Sequence, residues 1–387
     1  MECPETHKND AHGDIFCFVL STVCTKFLVL INGIRLAPFR SDADSEMTFW
    51  GLLMKKLVLA AAVLAMAGSA YAADMPLKAL KAPPPAPFDP WDVAFGSAIM
   101  NDYLFRGITQ SNHKPSVAAY FEPRYNVNKD LQLYIGVSGE SISFTNRAAA
   151  EIDIYGGIRP TFGAFALDIG IWGYLYPGGS CADGISLTGG IPGGGVCPVS
   201  TNTIFVANGN VLKKDVSFFE VYGKGNYTIN DNWQFGFTEF YTPSFLNSGA
   251  WGDYASITAK YIAPATVFGK SGVGMYISGE VGRQWLGTTD RFYGTGAGTR
   301  FAAGIPYPSY DTWNIGIGFT YKVFTLDLRY SDTNLSKGNC SAFTSAFNAS
   351  GTTNVTPINP GGSGSNWCGA AGIVKLSADL TAMTNLK

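Results

Sequence analysis

The 387-residue chain carries 46 glycines, 14% aromatic and only 14% charged residues, with a formal net charge of −2. Soluble domains usually carry about 25% charged residues, so this composition cannot cover an ordinary water-facing surface, and its near-neutral balance gives no basis for a nucleic-acid partner. Spanning helices are excluded too, because the apolar runs around 27–31 and 57–67 fall short of the roughly 20 residues such a helix needs.

In chain order, the first 53 residues show no alternation and no repeat, and hold three stray cysteines, Cys3, Cys17 and Cys24. From Met54 the sequence reads MKKLVLAAAVLAMAGSAYA. Lys55 and Lys56 make a basic n-region, an apolar h-region follows, and Ala70-Tyr71-Ala72 is a small-x-small cleavage site. Residues 1–53 are therefore expected to be an upstream extension and 54–72 a signal peptide for Sec-dependent export. Residues 73–90, ADMPLKALKAPPPAPFDP, are rich in proline, which favours an extended, unpacked chain, and read as a periplasmic linker.

Residues 91–387 form the remaining domain. Twelve segments alternate with period 2: 91–106, 117–127, 131–144, 150–161, 164–177, 215–229, 232–243, 251–263, 272–286, 310–322, 324–334 and 371–381. Leu131, Leu133, Ile135 and Val137 fall on one face, and Gln132, Tyr134, Ser138 and Glu140 on the other. Links after even-numbered segments are mostly short, and those after segments 5, 9 and 11 are long. Such parity distinguishes an outer-membrane barrel from a secreted β-sandwich, which has no reason to segregate its loops. The expected fold is all-β, a transmembrane antiparallel up-and-down barrel of about twelve strands, with short periplasmic turns and long external loops. It would lie in the bacterial outer membrane. Its partners would be outer-membrane lipid, small solutes or ions and, during biogenesis, periplasmic chaperones and the barrel-assembly machinery.

Within the first segment, Val93, Phe95 and Ile99 share the lipid-side parity, which continues through Tyr103 and Phe105. These two aromatics are expected in the outer aromatic girdle, with Asp102 and Arg106 on the lumen side. The stretch NDYLFRGITQSNHKP (Asp102, Tyr103, Phe105, Arg106, Gly107, Gln110, Ser111, Lys114 and Pro115) resembles the first hairpin of the TorF-like porin family of proteobacterial outer-membrane proteins. The resemblance covers some 25 residues and implies a small outer-membrane barrel of porin type, without a substrate that carries over.

On the opposite parity, Asp92, Asp102, Arg106, Glu140, Glu151, Asp153, Arg159, Asp168, Glu220, Lys224, Glu280, Asp327, Arg329, Lys375 and Asp379 are candidate lumen residues. Acids outnumber bases, so a narrow, water-filled passage through them would mildly favour cations. The same charges could instead pair across the interior and plug it. A plugged structural or adhesive barrel is therefore the alternative, with the Gly-rich stretches 189–202 and 359–369 as surface loops. A lipid-modifying enzyme is the remaining class. Nucleophilic catalysis usually needs a Ser–His pair and an orienting group, yet after residue 72 the only histidine is His113, and no G-x-S-x-G elbow occurs. No catalytic residue, metal site or cofactor is assigned. Four cysteines remain after residue 72, one pair in the long loop after segment 5 and one pair in that after segment 11. Export through an oxidising compartment points to Cys181–Cys197 and Cys340–Cys368.

Overall fold

A computed structural model of the chain describes residues 89–179, 213–293 and 301–386. The expected extension, the signal peptide, nearly all of the linker and the Cys181–Cys197 pair lie outside the described residues.

Twelve strands close into one antiparallel barrel. They are β1 (Trp91–Met100), β4 (Ser116–Asn128), β5 (Leu131–Glu140), β6 (Glu151–Phe162), β7 (Phe165–Leu175), β8 (Phe218–Thr228), β9 (Trp233–Thr242), β10 (Gly252–Ile262), β11 (Val273–Leu286), β12 (Tyr310–Tyr321), β13 (Phe324–Thr333) and β14 (Ala371–Thr381). Each pairs with its sequence neighbour in the barrel, and β1 closes on β14 from Ala94↔Thr381 to Met100↔Lys375. Two further short strands, β2 (Leu104–Phe105) and β3 (Ile108–Thr109), pair only with each other. The connections 129–130, 163–164, 229–232 and 322–323 are tight and share one end with the longer 263–272 link; the long connections gather at the other.

Alternation decides which side each residue faces. Ile135, Ile154 and Ile315 are 61%, 51% and 59% exposed on the outside, while Glu151 and Asp153, one residue either side of an outward isoleucine, are nearly sealed inside. A soluble protein does the reverse; an apolar exterior around a polar interior is the arrangement of a transmembrane barrel. Exposed aromatics mark both rims. Trp91, Tyr125, Phe162, Tyr227, Trp233, Tyr321 and Phe324 ring the turn end, and Phe219, Tyr241, Trp251, Trp313 and Tyr330 ring the loop end. Inside, glycine makes room for rings. A Cβ on Gly136 would sit 2.3 Å from the Tyr155 ring, which stacks on Trp172 at 4.0 Å.

The loop end carries an apolar core of its own. Ile108, Phe144, Tyr176, Val216, Phe245, Tyr307, Leu335, Phe343 and Trp367 are buried together there. A helix in the β13–β14 connection, α1 (Lys337–Thr344), contributes Phe343; its N-terminus is capped by Ser336, whose hydroxyl accepts from the Asn339 amide. The Cys340–Cys368 disulfide spans this connection, as expected from the sequence. Closing a loop of 28 residues removes unfolded-chain entropy worth about 3–4 kcal/mol.

Because β6 turns Ile154 outward, Ile154→Arg should cost about 2–4 kcal/mol near the bilayer midplane. Lys375→Gln, on an inward position open to the lumen, should change stability by less than about 0.5 kcal/mol. Urea unfolding in lipid vesicles checks both, and equal losses would overturn the assignment of faces.

Candidate functional site

The first segment does not run on as one strand to residue 106. β1 stops at Met100, and the chain turns into the barrel as the hairpin β2–β3. Arg106 and Gly107 form its two-residue turn, both with positive φ (49° and 78°), as the hairpin turns that match strand twist require. A left-handed arginine costs about 1–2 kcal/mol, and its partners explain why it is held there. The guanidinium grips Glu220 with two bonds, Nη1 to Oε1 at 2.9 Å and Nη2 to Oε2 at 2.7 Å. A third bond, 2.7 Å long, goes to Gln284 Oε1. The rings of Phe105 and Tyr254 each lie 4.5 Å from its charged centre. Arg106 and Glu220 side chains are 5% and 0% exposed. Burial alone would disfavour the arginine's charge, but the adjacent Glu220 carboxylate outweighs it and the guanidinium pKa is raised. Gly107 leaves little room for a side chain: a Cβ would approach Thr333 Cβ to 3.2 Å and the Asp332 carbonyl to 3.3 Å, tight contacts that the neighbours would have to yield to.

Tyr103 and Phe105 consequently depart from the expected lipid girdle. Tyr103 donates its hydroxyl to Glu151 Oε1 at 2.8 Å, and Phe105 packs edge-on against Tyr174 inside the barrel. Burial, and then the Glu151 charge, push the Tyr103 phenol well above its usual range, so it stays a donor. The girdle assignment followed from extending β1 by six residues; the hairpin replaces that extension.

Asp102 ties down the hairpin's base. It accepts from Thr109 Oγ1 (2.5 Å), Ser111 Oγ (2.9 Å) and His113 Nδ1 (2.7 Å). His113 Nε2 is 2.9 Å from the Asn366 carbonyl, and Thr109 N donates to the Trp367 carbonyl. The histidine thus clasps the first loop to the disulfide-bonded one. Ser111 and His113 both bind the aspartate rather than each other, which is the geometry of a clasp and not of a nucleophile facing its base.

Below the hairpin the lumen opens into a cavity of about 790 Å³, lined by Arg106, Glu140, Lys224, Glu280, Asp327, Arg329 and Lys375 among others. An adjoining cavity of about 440 Å³ reaches Asp153 and Asp379. The strand-borne candidates gather into several groups. Arg159 binds Glu122 (2.7 Å) and Asp168 (3.1 Å) and lies over the Tyr134 ring; Tyr134 and Tyr222 bond each other and Asp168. Asp327 pairs with Arg329 at 3.0 Å. Glu280 accepts from Tyr254 and Asn314, and Asp379 from Tyr120 and Ser377. Lys224 lies over Tyr222 and Phe240. Glu140, Glu151 and Asp153 each bring an oxygen within 4.8 Å of the others. Asp92 stands apart near the turn end, accepting from the Met383 amide. Glu122, Gln284 and the inner tyrosines were not among the sequence candidates, although the parity of β4 that turns Phe121 outward also turns Glu122 inward.

A closed barrel with an apolar exterior, a charged lumen and an internal hairpin defines the class, a transmembrane β-barrel of the outer-membrane type. Residues 85–240 match a family described as a bacterial protein of unknown function (Gcw_chp). The matched segment includes the stretch resembling the TorF-like porins, but its family carries no assigned function, so a porin identity does not follow from the match. No curated protein matches the chain. Among solved structures, it resembles an outer membrane channel from Pseudomonas putida F1 at 9% identity and TM-score 0.36, covering 76% of this chain and 97% of that one. LpxR from Salmonella typhimurium shows 8% identity, TM-score 0.33 and coverage of 74% and 99%. Outer-membrane expressed OmpT of Vibrio cholerae shows 13%, 0.31, 76% and 99%. Likeness at this level says nothing about individual residues.

Arg106→Ala should destabilise the protein by about 3–5 kcal/mol, because it strands the buried Glu220 charge. Arg106→Met with Glu220→Leu should recover much of that loss. Denaturant unfolding of the refolded variants checks both, and a double variant as unstable as the single one would show that the pair is not the source.

Proposed function

We propose that the protein is an outer-membrane channel for small solutes or ions, held closed at rest by the β2–β3 hairpin and the cap above it. The observation carrying this reading is the cavity of about 790 Å³ lined by charges of both signs directly under the hairpin. An interior that served only as scaffold would be stabilised by filling this space, whereas unfilled space among charged groups holds water. The likeness of the hairpin stretch to TorF-like porins supports the same class.

The passage is narrow and mildly cation-preferring. With the ion-paired residues set aside, Glu140, Glu151, Asp153, Glu280 and Asp379 face Lys224, Lys260 and Lys375 among the described residues. This reading includes no catalytic step; in its favour, both nitrogens of His113 are already engaged. One observation favours the second reading, a plugged structural barrel: the cap is a packed apolar core rather than a loose lid.

Planar-bilayer recordings of the refolded protein separate the two. Wild type should be mostly closed with brief steps of cation-selective conductance, and Arg106→Ala should raise the open fraction several-fold. Silence from both proteins would favour the structural barrel, while a wild type as open as Arg106→Ala would remove the hairpin as the gate.

A further inference from the structure

We propose that Glu140, Glu151 and Asp153 form a binding site for a divalent hard cation of the calcium type in the wall of the lumen. The strand register assembles it. Glu140 stands directly opposite Glu151 across the β5–β6 pair, and Asp153 opposite Ser138. Because side chains two apart on a strand share a face, all three carboxylates point inward at one place, each with an oxygen within 4.8 Å of the others.

Like charges set directly opposite each other weaken strand pairing, and the cost grows as water is removed. Here it is largely removed: Glu151 is 1% and Asp153 3% exposed. None of the three joins an ion pair among the described residues. Tyr103 gives one hydrogen bond to Glu151, and Ser138 one to Asp153 Oδ2 at 3.2 Å.

A second observation points to a ligand. Asp153 Oδ1, on an all but completely buried side chain, has no hydrogen-bond partner, and neither has Glu140 Oε2. The Trp172 indole N–H faces Asp153 without completing a hydrogen bond. An unpaired buried acceptor is destabilising, the more so when it is charged. A bound cation would satisfy both oxygens and neutralise the cluster at once.

The donor set selects the ion. Three carboxylates with no histidine or cysteine suit Ca²⁺, Mn²⁺ or Mg²⁺ rather than zinc. Two oxygens on one Ca²⁺ can stand up to about 5 Å apart, twice the usual bond of 2.3–2.6 Å, which accommodates the observed spread. An ion can arrive through the lumen, because Glu140 lines both cavities and Asp153 the smaller one. The site stands whether or not the barrel conducts, since it needs only access from water.

The test uses refolded full-length protein in detergent, stripped with a chelator and titrated with TbCl₃. The neighbouring Trp172 should sensitise terbium emission. A single saturable signal is expected, displaced by CaCl₂ at lower concentration than by MgCl₂. Glu140→Gln and Asp153→Asn should each weaken binding roughly tenfold or more, because affinity follows the number of charged ligands. Asp130→Asn, in a solvent-exposed turn, should not. The absence of a saturable, calcium-displaceable signal in the wild type overturns the proposal. So does unchanged affinity in Glu140→Gln, which decides the matter even if Asp153→Asn does not fold.

Discussion

Hydrocarbon offers a peptide group no hydrogen-bond partner, and each N–H or C=O left open there costs several kcal/mol. The rest of this structure depends on that constraint. It forces β1 onto β14, so that the sheet has no edge, and closure then fixes the side on which every residue of every strand lies. Outward positions must be acceptable to lipid, so the polar side chains the chain does carry are concentrated within. The interior is consequently a problem of mutual satisfaction. Arg159 is shared between Glu122 and Asp168, tyrosines donate to Asp168, Glu151, Glu220, Glu280 and Asp327, and cationic groups rest on aromatic faces.

The hairpin acts against that background. It leaves β1 and reaches β8, which is five strands away round the barrel, and β11, four strands away in the other direction. A buried ion pair adds little net stability over a well-packed apolar pair, yet losing one partner is severe. Arg106–Glu220 therefore serves position more than strength: it specifies where the tip of the hairpin must sit. The apolar cap, the His113 clasp and the disulfide supply the bulk of the holding. Precise location and overall cohesion come from different interactions.

Strand number, facing and loop segregation were legible in the sequence because period-2 alternation is local and the two solvents, lipid and lumen water, differ so sharply. The Cys340–Cys368 pairing was legible because each loop enclosed its own cysteines. The inward turn at Met100 was not. Tyr103 and Phe105 continue the parity of Val93, Phe95 and Ile99, so alternation alone cannot tell a strand that continues from a hairpin that folds back. What redirects the chain is Glu220, 114 residues further on, and no local pattern reports a partner at that distance. The Arg106-Gly107 pair was the one available hint, since glycine takes positive φ readily. The acidic cluster was half legible. All three residues were on the list of lumen candidates, but their convergence depends on the register of β5 against β6, which sequence alone does not set.

The way the hairpin is anchored also dictates the order in which the molecule can be built. It belongs to the second-earliest piece of the barrel, yet its fastenings lie on β6, β8 and β11 and on the loop that precedes β14. Until those later segments are in place, residues 101–115 have nothing to hold them inside. The arm therefore takes up its final position late, together with the closing of β1 on β14. The placing of the arm and the closing of the barrel thus depend on the same final stretch of chain, since the Asn366 carbonyl that His113 reaches lies just ahead of β14.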